Sequence, residues 1–470
     1  MKNTIINELK EIVDIDLVSF HVPGHKMGKI YDRLGYTSII DKMYKMDTTE
    51  IIGTDNLHSP EGIIKESQER ASKVFKSDNT YYIVNGSTSG IQASIMASCE
   101  PGDKLIVNRD CHQSVINGCI LGDINPVYIN ADISKDNNIV NGVILEDAIE
   151  VINNNLDAKA ILLTYPTYYG ITYDLKTICD YAHSKNMIVI VDEAHGAHLG
   201  LSDELPKTAL GQGADLVIQS THKTLPAFTQ ASMIHTQGNR VNHSRLSSML
   251  RFVQSSSPSY TLMASLELAI DIYETKGKEL MKELLLNIDE FKENIKGNEL
   301  IRVYNEYDKT KIFVESKNIG LIGYELEEIL RKEYNIQVEL SNYYGVLLIC
   351  TIGNDDKDLK KLEMALKNIY DSNNIKENIK EVEYPNIIPK KALSPREAFY
   401  KSKKSVKIYD SVGKISGEYI IPYPPGISLL SPGEIITKEV IDYVLLCNKK
   451  GMHVNGIKDS NLEFIEIISE

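Results

Sequence analysis

Cysteine pairs and long apolar runs are both missing from this sequence. The six cysteines, at positions 99, 111, 119, 179, 350 and 447, include no Cys-x-x-Cys pair. This scatter is typical of reduced thiols rather than of a disulfide framework or a zinc site. No apolar run reaches the roughly 18 residues that a bilayer-spanning helix needs, and the first residues contain no signal-peptide core. We therefore expect a cytoplasmic protein without a membrane segment.

Positive charge is also scarce. The chain has 51 lysine and arginine residues against 65 aspartate and glutamate residues, which gives a formal net charge of -14. Nucleic-acid binding requires a concentrated basic surface, so this balance argues against a nucleic-acid partner. A small cationic substrate is compatible with the negative sign, although such a charge also serves solubility alone.

The middle of the chain alternates strand-like and helical segments. Between about residues 80 and 235, short β-type runs are followed by polar segments and then by helical stretches. This alternation predicts an α/β fold with a parallel-rich sheet and crossover helices. The predicted strands are Tyr81–Val84, Leu105–Val107, Ile161–Leu163, Ile188–Val191 and Leu216–Ile218. Ligands of such sheets bind beyond the carboxyl ends of the strands, where the polar residues considered next lie.

After about residue 260 the sequence becomes mainly helical. A connector helix is predicted there, with a break before it at Gly277 and one apolar face made by Leu284, Ile288, Phe291 and Ile295. Beyond it, strands near 311–314 and 346–350 and a helix near 358–370 indicate a smaller α+β domain. The predicted division is therefore an N-terminal segment, a major domain that includes the connector, and a C-terminal domain: residues 1–50, 51–297 and 298–470.

Lys223 and Asp192 are the pair on which the functional hypothesis depends. Asp192 ends the apolar run Ile188–Val191, and Lys223 ends the run Gln219–Lys223. Pyridoxal phosphate (PLP) needs a lysine amine to bond its aldehyde and a carboxylate to keep its ring nitrogen protonated, because the protonated ring is the strong electron sink. Either residue alone is common, as a solvated surface lysine or a helix-capping aspartate. Together they suggest a PLP site.

Two segments offer donors for the cofactor phosphate. Asn85–Gly90 follows the first predicted strand and opens an alanine-containing helix, so its amides and hydroxyls could hold a phosphate at the helix N-terminus. The alternative is an ordinary serine or threonine helix cap. Ser220 and His222, beside Lys223, supply further donors where the same phosphate would have to lie.

Three histidines follow strand ends. His112 comes after the second predicted strand, where its imidazole could stack on the pyridine ring, although a loop histidine is more often merely exposed. His195 could orient Asp192 or bond the cofactor. His195 and His198 are spaced like a metal pair, but Gly196 lies between them and a third ligand is not evident, so we expect no metal.

The motifs resemble, in order and spacing, those of the bacterial Orn/Lys/Arg decarboxylase family. The matching segments are Phe20–Gly28, Gly53–Gly62, Asn85–Gly90, Asp192–His198, Ser220–Lys223 and Pro422–Gly426. The resemblance covers nearly the entire chain. It implies an aspartate aminotransferase-like major domain (PLP fold type I), a smaller C-terminal α+β domain, and active sites at a dimer interface.

The resemblance also implies roles for single residues. Lys223 would bond the cofactor, Asp192 would pair with the ring nitrogen, and His112 would stack on the ring. The implied phosphate ligands are Ser87, Thr88, Ser220 and His222.

Two further residues are implied outside these motifs. The run Ser255–Pro258 resembles a segment that reaches the phosphate from the neighbouring subunit, and we choose Ser256 as its donor. Glu418 is a candidate for binding the substrate's distal cation. An exposed glutamate without a role is an equal alternative for it.

The chain resembles the short members of this family from Gram-positive bacteria. The motif that begins at His21 leaves no room for the N-terminal wing domain of the larger enterobacterial members, so we expect a homodimer or a dimer of dimers rather than an acid-induced decamer. The predicted reaction is decarboxylation of a basic L-amino acid. Arginine to agmatine is favoured, then lysine to cadaverine or ornithine to putrescine.

Two other functions stay open at this point. A PLP aminotransferase or lyase of the same fold would need an arginine positioned to bind the α-carboxylate of its substrate. A catalytically silent regulatory binding protein would keep the scaffold without turnover.

Overall fold

A seven-stranded sheet forms the centre of the protein. The computed structural model describes residues 4–295, 307–316, 319–372, 382–385, 387–424 and 426–469. In spatial order, the strands of the sheet are Asn79–Ile83, Ser232–Thr236, Leu216–Gln219, Ile188–Asp192, Ala160–Thr164, Lys104–Asn108 and Asn125–Ile129. Ser232–Thr236 is antiparallel to both neighbours, whereas the other pairs are parallel. The predicted parallel-rich α/β fold is confirmed.

Alternate residues of the strands face opposite layers of helices. Ile190 packs in one core and its neighbours Val189 and Val191 pack in the other, as the two-residue period of a strand requires. The first layer contains the helices Gly86–Ser98, Gln113–Gly122 and His243–Val253. The second contains the helices Leu145–Asn154 and Leu175–Ser184. Strands buried on both faces explain the continuous apolar runs in the sequence.

The connector is one continuous helical segment. The helices Tyr260–Ile272 and Lys278–Ile295 are joined by a π-helical turn, Tyr273–Gly277. The expected break at Gly277 is therefore wrong. A Cβ on Gly277 would lie 2.5 Å from Leu201 Cδ2, so a larger residue here would require the Leu201 side chain to shift. The predicted apolar face of the second helix is buried.

A smaller antiparallel sheet follows the connector. Its strands are Lys311–Glu315, Gly345–Ile349 and Leu340–Asn342, and the helices Gly323–Tyr334 and Asp356–Ser372 follow within the same region. The strand Val18–Phe20 pairs in parallel with Ile336–Val338. The first part of the chain is thereby attached to this region, and it also contains the helices Thr4–Asp14, Lys29–Leu34 and Thr37–Ile40. The helix Ile63–Phe75 precedes the central sheet.

The last part of the chain contains little regular structure. Its helices are Pro395–Tyr400 and Lys438–Lys449. Its strands form two antiparallel pairs, Lys403–Lys407 with Phe464–Ile468 and Ile421–Tyr423 with His453–Asn455. A further small pair, Asp132–Ile133 with Val140–Gly142, lies earlier in the chain. The domain division stays a prediction, and its limit at 297/298 lies outside the described residues. Within the described ranges, no helix combines the length and apolar character needed to cross a bilayer.

Candidate active site

One cavity brings several of the predicted residues together. It has a volume of about 430 Å³ and lies where the parallel strands end, between the central sheet and the last part of the chain. Ser87, His112, Asp192, His195 and Lys223 line it. The other predicted residues do not: Thr88, Ser220, His222, Ser256 and Glu418.

Lys223 lies in the short helix Thr221–Thr224, directly after the strand Leu216–Gln219. Its Nζ lies 3.0 Å from His195 Nε2. Burial lowers the pKa of Lys223 below its ordinary value, while the carboxylate of Asp192 opposes that shift. A lowered pKa increases the fraction of free amine, which is the nucleophilic form.

Asp192 ends the neighbouring strand and is 4% exposed. Its Oδ1 accepts the N–H of Ala194 at 3.1 Å. Burial raises the pKa of the carboxyl, and Lys223 and His112 oppose the rise. Because no other hydrogen bond reaches this carboxylate from the described residues, Asp192 has capacity to accept a proton-bearing nitrogen in the cavity.

His112 is the N-cap of the helix Gln113–Gly122. Its Nδ1 accepts the N–H of Ser114 at 3.2 Å and lies 2.8 Å from the Ser114 hydroxyl. Burial lowers the pKa of His112, so the ring tends to be neutral. The helix cap fixes the imidazole at the cavity wall, where it presents a flat, uncharged face.

His195 has a basic partner on each ring nitrogen. In addition to the contact with Lys223, its Nδ1 lies 3.1 Å from Lys311 Nζ. The ring of Tyr168 lies edge-on to it, with 4.7 Å between ring centroids. Burial and the two lysines hold the pKa of His195 well below its ordinary value, so the imidazole is neutral. In the described residues, no group of three or more potential metal ligands includes His195 or His198.

The predicted phosphate ligands are divided between the cavity wall and its surroundings. Ser220 is buried and donates from its Oγ to Ser87 Oγ at 2.6 Å. Ser87 lies in the first turn of the helix Gly86–Ser98, whose N-cap Asn85 makes no side-chain capping bond. Thr88 is exposed, and the Nδ1 of the half-buried His222 is 2.9 Å from the Ala231 carbonyl. Because the N–H of Gly86 donates to the Gln230 carbonyl at 2.9 Å, the helix start offers the amides that follow Gly86 and the Ser87 hydroxyl.

Ser256 and Glu418 lie away from the cavity. Ser256 is exposed between two helices. Glu418 is 6% exposed, and its two carboxylate oxygens accept the N–H groups of Lys458 at 3.0 Å and Glu466 at 2.8 Å. The alternative of an exposed Glu418 does not hold. The carboxylate thereby joins a loop at Lys458 to the strand Phe464–Ile468.

Asp110 lines the cavity and was not selected from the sequence. Its Oδ1 accepts the side-chain amide of Asn108 at 2.7 Å. Burial raises the pKa of Asp110 to about 6, and only hydrogen bonds oppose this. No ion pair joins it to a cation within the described residues. Asp110 follows the strand Lys104–Asn108 and precedes His112 by two residues. This position at a strand end is the feature of the sequence that points to a ligand-binding residue.

Arg109 also lines the cavity, but its charge is already neutralised. Its guanidinium forms a two-pronged ion pair with Glu434, with N–O distances of 2.6 and 2.7 Å. Its Nε donates to the Ser428 carbonyl at 3.0 Å, and the group lies 4.5 Å from the ring centre of Tyr128. Arg109 thus attaches the last part of the chain to the end of the sheet.

The cavity residues fit PLP. An amine with a lowered pKa, a buried carboxylate with a free accepting position, and a neutral imidazole line the same space. A helix start without a side-chain cap, with Ser87 in its first turn, offers donors for a phosphate. This donor set matches the aldehyde, ring nitrogen, ring face and phosphate of the cofactor.

Solved structures of other proteins share this fold. The lysine decarboxylase of Francisella novicida superposes with a TM-score of 0.77 at 22% identity, over 98% of this chain and 80% of that one. The alanine–glyoxylate aminotransferase of Nostoc sp. superposes with a TM-score of 0.54 at 14% identity, over 71% of this chain and 92% of that one. The protein therefore has the fold of the PLP-dependent decarboxylases and aminotransferases.

Sequence comparison identifies the family within that class. The model of the Orn/Lys/Arg decarboxylase major domain matches residues 4–315, and that of the C-terminal domain matches residues 375–460. The arginine decarboxylase of Bacillus subtilis (strain 168) is 36% identical over 475 residues, 98% of this chain and 97% of that protein. The chain belongs to the Orn/Lys/Arg decarboxylase family. The predicted family and enzyme class are confirmed.

Proposed function

We propose that this protein decarboxylates a basic L-amino acid with PLP as its cofactor, and that arginine, giving agmatine, is the preferred substrate. The observation that carries the proposal is the cavity in which Lys223, Asp192 and His112 meet. Lysine, giving cadaverine, is the next candidate, followed by ornithine, giving putrescine. The relative at 36% identity named as an arginine decarboxylase supports the order of preference.

Each cavity residue has a defined task in this proposal. When bound, PLP supplies an electron sink for the pair of electrons left at Cα as carbon dioxide departs. Lys223 Nζ is the amine that would bond the cofactor aldehyde. Asp192 would keep the ring nitrogen protonated, and His112 would cover the ring face.

Lys223 and His195 are the proposed pair for proton transfer in the cavity. Lys223 Nζ and His195 Nε2 are within hydrogen-bond distance, so a proton can pass between them. The Ser87 hydroxyl and the amides that follow Gly86 would bind the phosphate, with Ser220 orienting the Ser87 hydroxyl. Thr88, His222 and, from a neighbouring subunit, the exposed Ser256 remain proposed phosphate ligands.

The state of Arg109 favours decarboxylation over amino-group transfer. An aminotransferase holds the α-carboxylate of its substrate with an arginine, whereas loss of that carboxylate is easier where its charge is not stabilised. Arg109 is the one arginine among the described residues that line the cavity, and its charge is already neutralised by Glu434. The described part of the cavity therefore contains no arginine with a free charge that could bind the α-carboxylate of the substrate.

Asp110 is the better candidate for the distal cation of the substrate. The acidic side chains among the described cavity residues are Asp110 and Asp192, and the second has its task at the cofactor ring. The pKa of Asp110 is raised because burial is not offset by a cation. A guanidinium or ammonium group would supply that missing charge. Glu418, with both oxygens bonded to backbone N–H groups, lies outside the cavity.

We further propose a cytoplasmic homodimer or dimer of dimers. The exposed Ser256 would complete the phosphate site of the neighbouring subunit. The absence of a membrane-crossing helix in the described residues is compatible with a cytoplasmic location.

Substrate profiling with product identification tests this function. Purified protein with added PLP receives arginine, lysine or ornithine separately, and carbon dioxide and the amine product are quantified. We expect carbon dioxide and agmatine in equal amounts from arginine and slower release from lysine. Release of keto acid would indicate amino-group transfer, and turnover of none of the three would contradict the proposal.

A further inference from the structure

The turn that contains Asp110 is closed by Asn108, the last residue of the strand Lys104–Asn108. The backbone carbonyl of Asn108 accepts the N–H of Cys111 at 3.1 Å, and its side-chain amide donates to Asp110 Oδ1 at 2.7 Å. Asn108 is 1% exposed, whereas Asp110 is partly exposed and lines the cavity. A buried amide therefore holds one oxygen of a carboxylate in the cavity wall.

The neighbouring strand fixes the orientation of the Asn108 amide. Its Oδ1 accepts the backbone N–H of Thr164, the last residue of the strand Ala160–Thr164, at 3.0 Å. Turning the amide by 180° would place two donors against each other at Thr164 and two acceptors against each other at an ionised Asp110. The hydrogen-bond contacts themselves therefore direct the NH₂ group of Asn108 towards Asp110.

The residue between Asn108 and Asp110 is fixed as well. The N–H of Arg109 donates to the Ile129 carbonyl of the other neighbouring strand at 2.8 Å, and its guanidinium pairs with Glu434. The turn is thus attached to the strands on both sides and to the opposite wall of the cavity. Rotation of the Asp110 side chain is then the main freedom left to its carboxylate, and the hydrogen bond from Asn108 restricts that rotation.

Other neighbours of Asp110 do not hold its carboxylate. Cys111 and Tyr173 are titratable groups close to it, and burial raises the pKa of both, so neither carries a charge. The Tyr173 hydroxyl donates instead to the Thr164 carbonyl at 2.7 Å. Among the described residues, Asn108 is the one side chain that donates to Asp110, and Oδ2 receives no hydrogen bond from another residue of that set.

We propose that Asn108 is a positioning residue for substrate binding. Its amide holds Oδ1 of Asp110, so that Oδ2 stays available in a fixed position for the distal guanidinium or ammonium group of the substrate. A carboxylate that is already fixed loses less side-chain freedom when the substrate binds, and binding is stronger for that reason. The inference rests on the proposed function, in which Asp110 binds the distal cation.

The test is a double-mutant cycle on the KM for arginine, measured with the PLP-loaded protein. N108L keeps about the size of the side chain but removes both of its hydrogen bonds, and D110N removes the carboxylate. We expect N108L to raise KM about tenfold with a much smaller change in kcat. In the D110N background we expect N108L to cause no further increase, because the cation-binding carboxylate is no longer there to be positioned.

The pH dependence of KM gives a second readout. Burial raises the pKa of Asp110 to about 6, and the hydrogen bond from Asn108 opposes that rise. Without this bond the carboxylate becomes protonated at a higher pH. As pH falls, the KM of N108L should therefore rise with a midpoint about one pH unit above that of the wild type. A side chain that only stabilises the fold would not move this midpoint.

Asn137 supplies the matched control. It is fully buried, its Nδ2 donates to Glu315 Oε1 at 3.1 Å, and its Oδ1 accepts the N–H of Ile139 at 3.2 Å. Asn137 thus bonds a carboxylate and a backbone N–H, as Asn108 does, but it does not line the cavity. We expect N137L to lower the free energy of unfolding and to leave both the KM for arginine and its pH midpoint unchanged.

Each outcome decides the inference. An unchanged KM or an unchanged pH midpoint in N108L would overturn it, as would equal increases of KM in the wild-type and D110N backgrounds or in N108L and N137L. If N108L does not fold, N108A, which leaves space rather than strain, takes its place in the same cycle with the same criteria. An unchanged KM in D110N would refute the cation role of Asp110 and the inference with it. Absence of decarboxylation by the wild-type protein would instead refute the proposed function.

Discussion

The two walls of the cavity differ in chemistry. The wall at the end of the central sheet contains the groups that carry or exchange protons: Asp110, His112, Asp192, His195 and Lys223. The described residues of the opposite wall, from the last part of the chain, are aromatic, aliphatic or small: Tyr419, Ile421, Tyr423, Gly426, Ile427, Ser428 and Ser431. Burial raises the pKa of Tyr419 and Tyr423, so their phenols are uncharged. The sheet wall thus supplies charge, and the opposite wall supplies shape.

This difference explains why the residues proposed to bind the cofactor, Asp192 and Lys223, and the residue proposed to bind the substrate cation, Asp110, all lie in the sheet wall. Charges at strand ends are fixed by neighbouring strands, as Asp192 and Lys223 are, which keeps them in place without reorganisation. An uncharged wall excludes water and strengthens the electrostatic interactions opposite it. Three substitutions test whether the charges are divided between the walls in this way.

Replacing Asp192 with asparagine should have the largest effect. D192N keeps the shape but cannot hold the ring nitrogen protonated, and removal of a preorganised charge from such a site costs roughly 100-fold to 1,000-fold in turnover. The rate of carbon dioxide release at saturating PLP and arginine is the measurement. E193Q is the control for changing a neighbouring buried carboxyl, because burial raises the pKa of Glu193 to about 8. Its oxygens accept N–H groups of Ala209 and Gln219, so E193Q should lower the free energy of unfolding but leave most of the turnover of the folded protein. Equal losses in both variants would contradict the role of Asp192.

Replacing Asp110 with asparagine should weaken substrate binding. Loss of a charge-assisted hydrogen bond should raise the KM for arginine about 10-fold to 100-fold with a much smaller change in kcat. Because the pKa of Asp110 is raised to about 6, its carboxylate is protonated below that pH. The wild-type KM should therefore rise as pH falls through about 6, and D110N should lose this dependence. An unchanged KM in D110N would contradict the proposal that Asp110 binds the distal cation of the substrate.

Replacing Glu418 with glutamine should have the smallest effect on catalysis. Its oxygens accept two backbone N–H groups, and glutamine can satisfy only one of them. We expect a loss of about 1–3 kcal/mol in the free energy of unfolding, measured by urea denaturation, and an unchanged KM for arginine. A KM increase as large as that of D110N would show that the last part of the chain also carries the substrate charge.

The sequence predicted the sheet wall better than the opposite wall, and the reason is physical. Strand periodicity and the rule that ligands bind at strand ends point directly to Asp192, Lys223 and His112. Asp110 obeys the same rule and could have been selected by it. The missed strands, Asn125–Ile129 and Ser232–Thr236, have less apolar sequences, with a proline in the first and a histidine in the second.

Long-range contacts limited the rest of the prediction. Lys311 contacts His195 across 116 residues of the chain, and a single lysine at the start of a strand gives no local signal of such a contact. The low helix propensity of Gly277 predicts a break, but Gly277 ends a π-helical turn within a continuous helical segment, where its missing side chain leaves room for Leu201. The position of Glu418 before a motif predicts a site residue, whereas its carboxylate is bonded to backbone N–H groups of a loop and a strand 40 and 48 residues further along.

The most direct test of the central claim is the absorbance spectrum of the purified protein with PLP, compared with that of K223A. We predict that the wild-type protein shows the absorbance band of a cofactor bonded to a lysine and releases carbon dioxide from arginine. K223A should show the spectrum of unbonded PLP and release none. Identical spectra for the two proteins would contradict the assignment of Lys223 and the account of the cavity built on it.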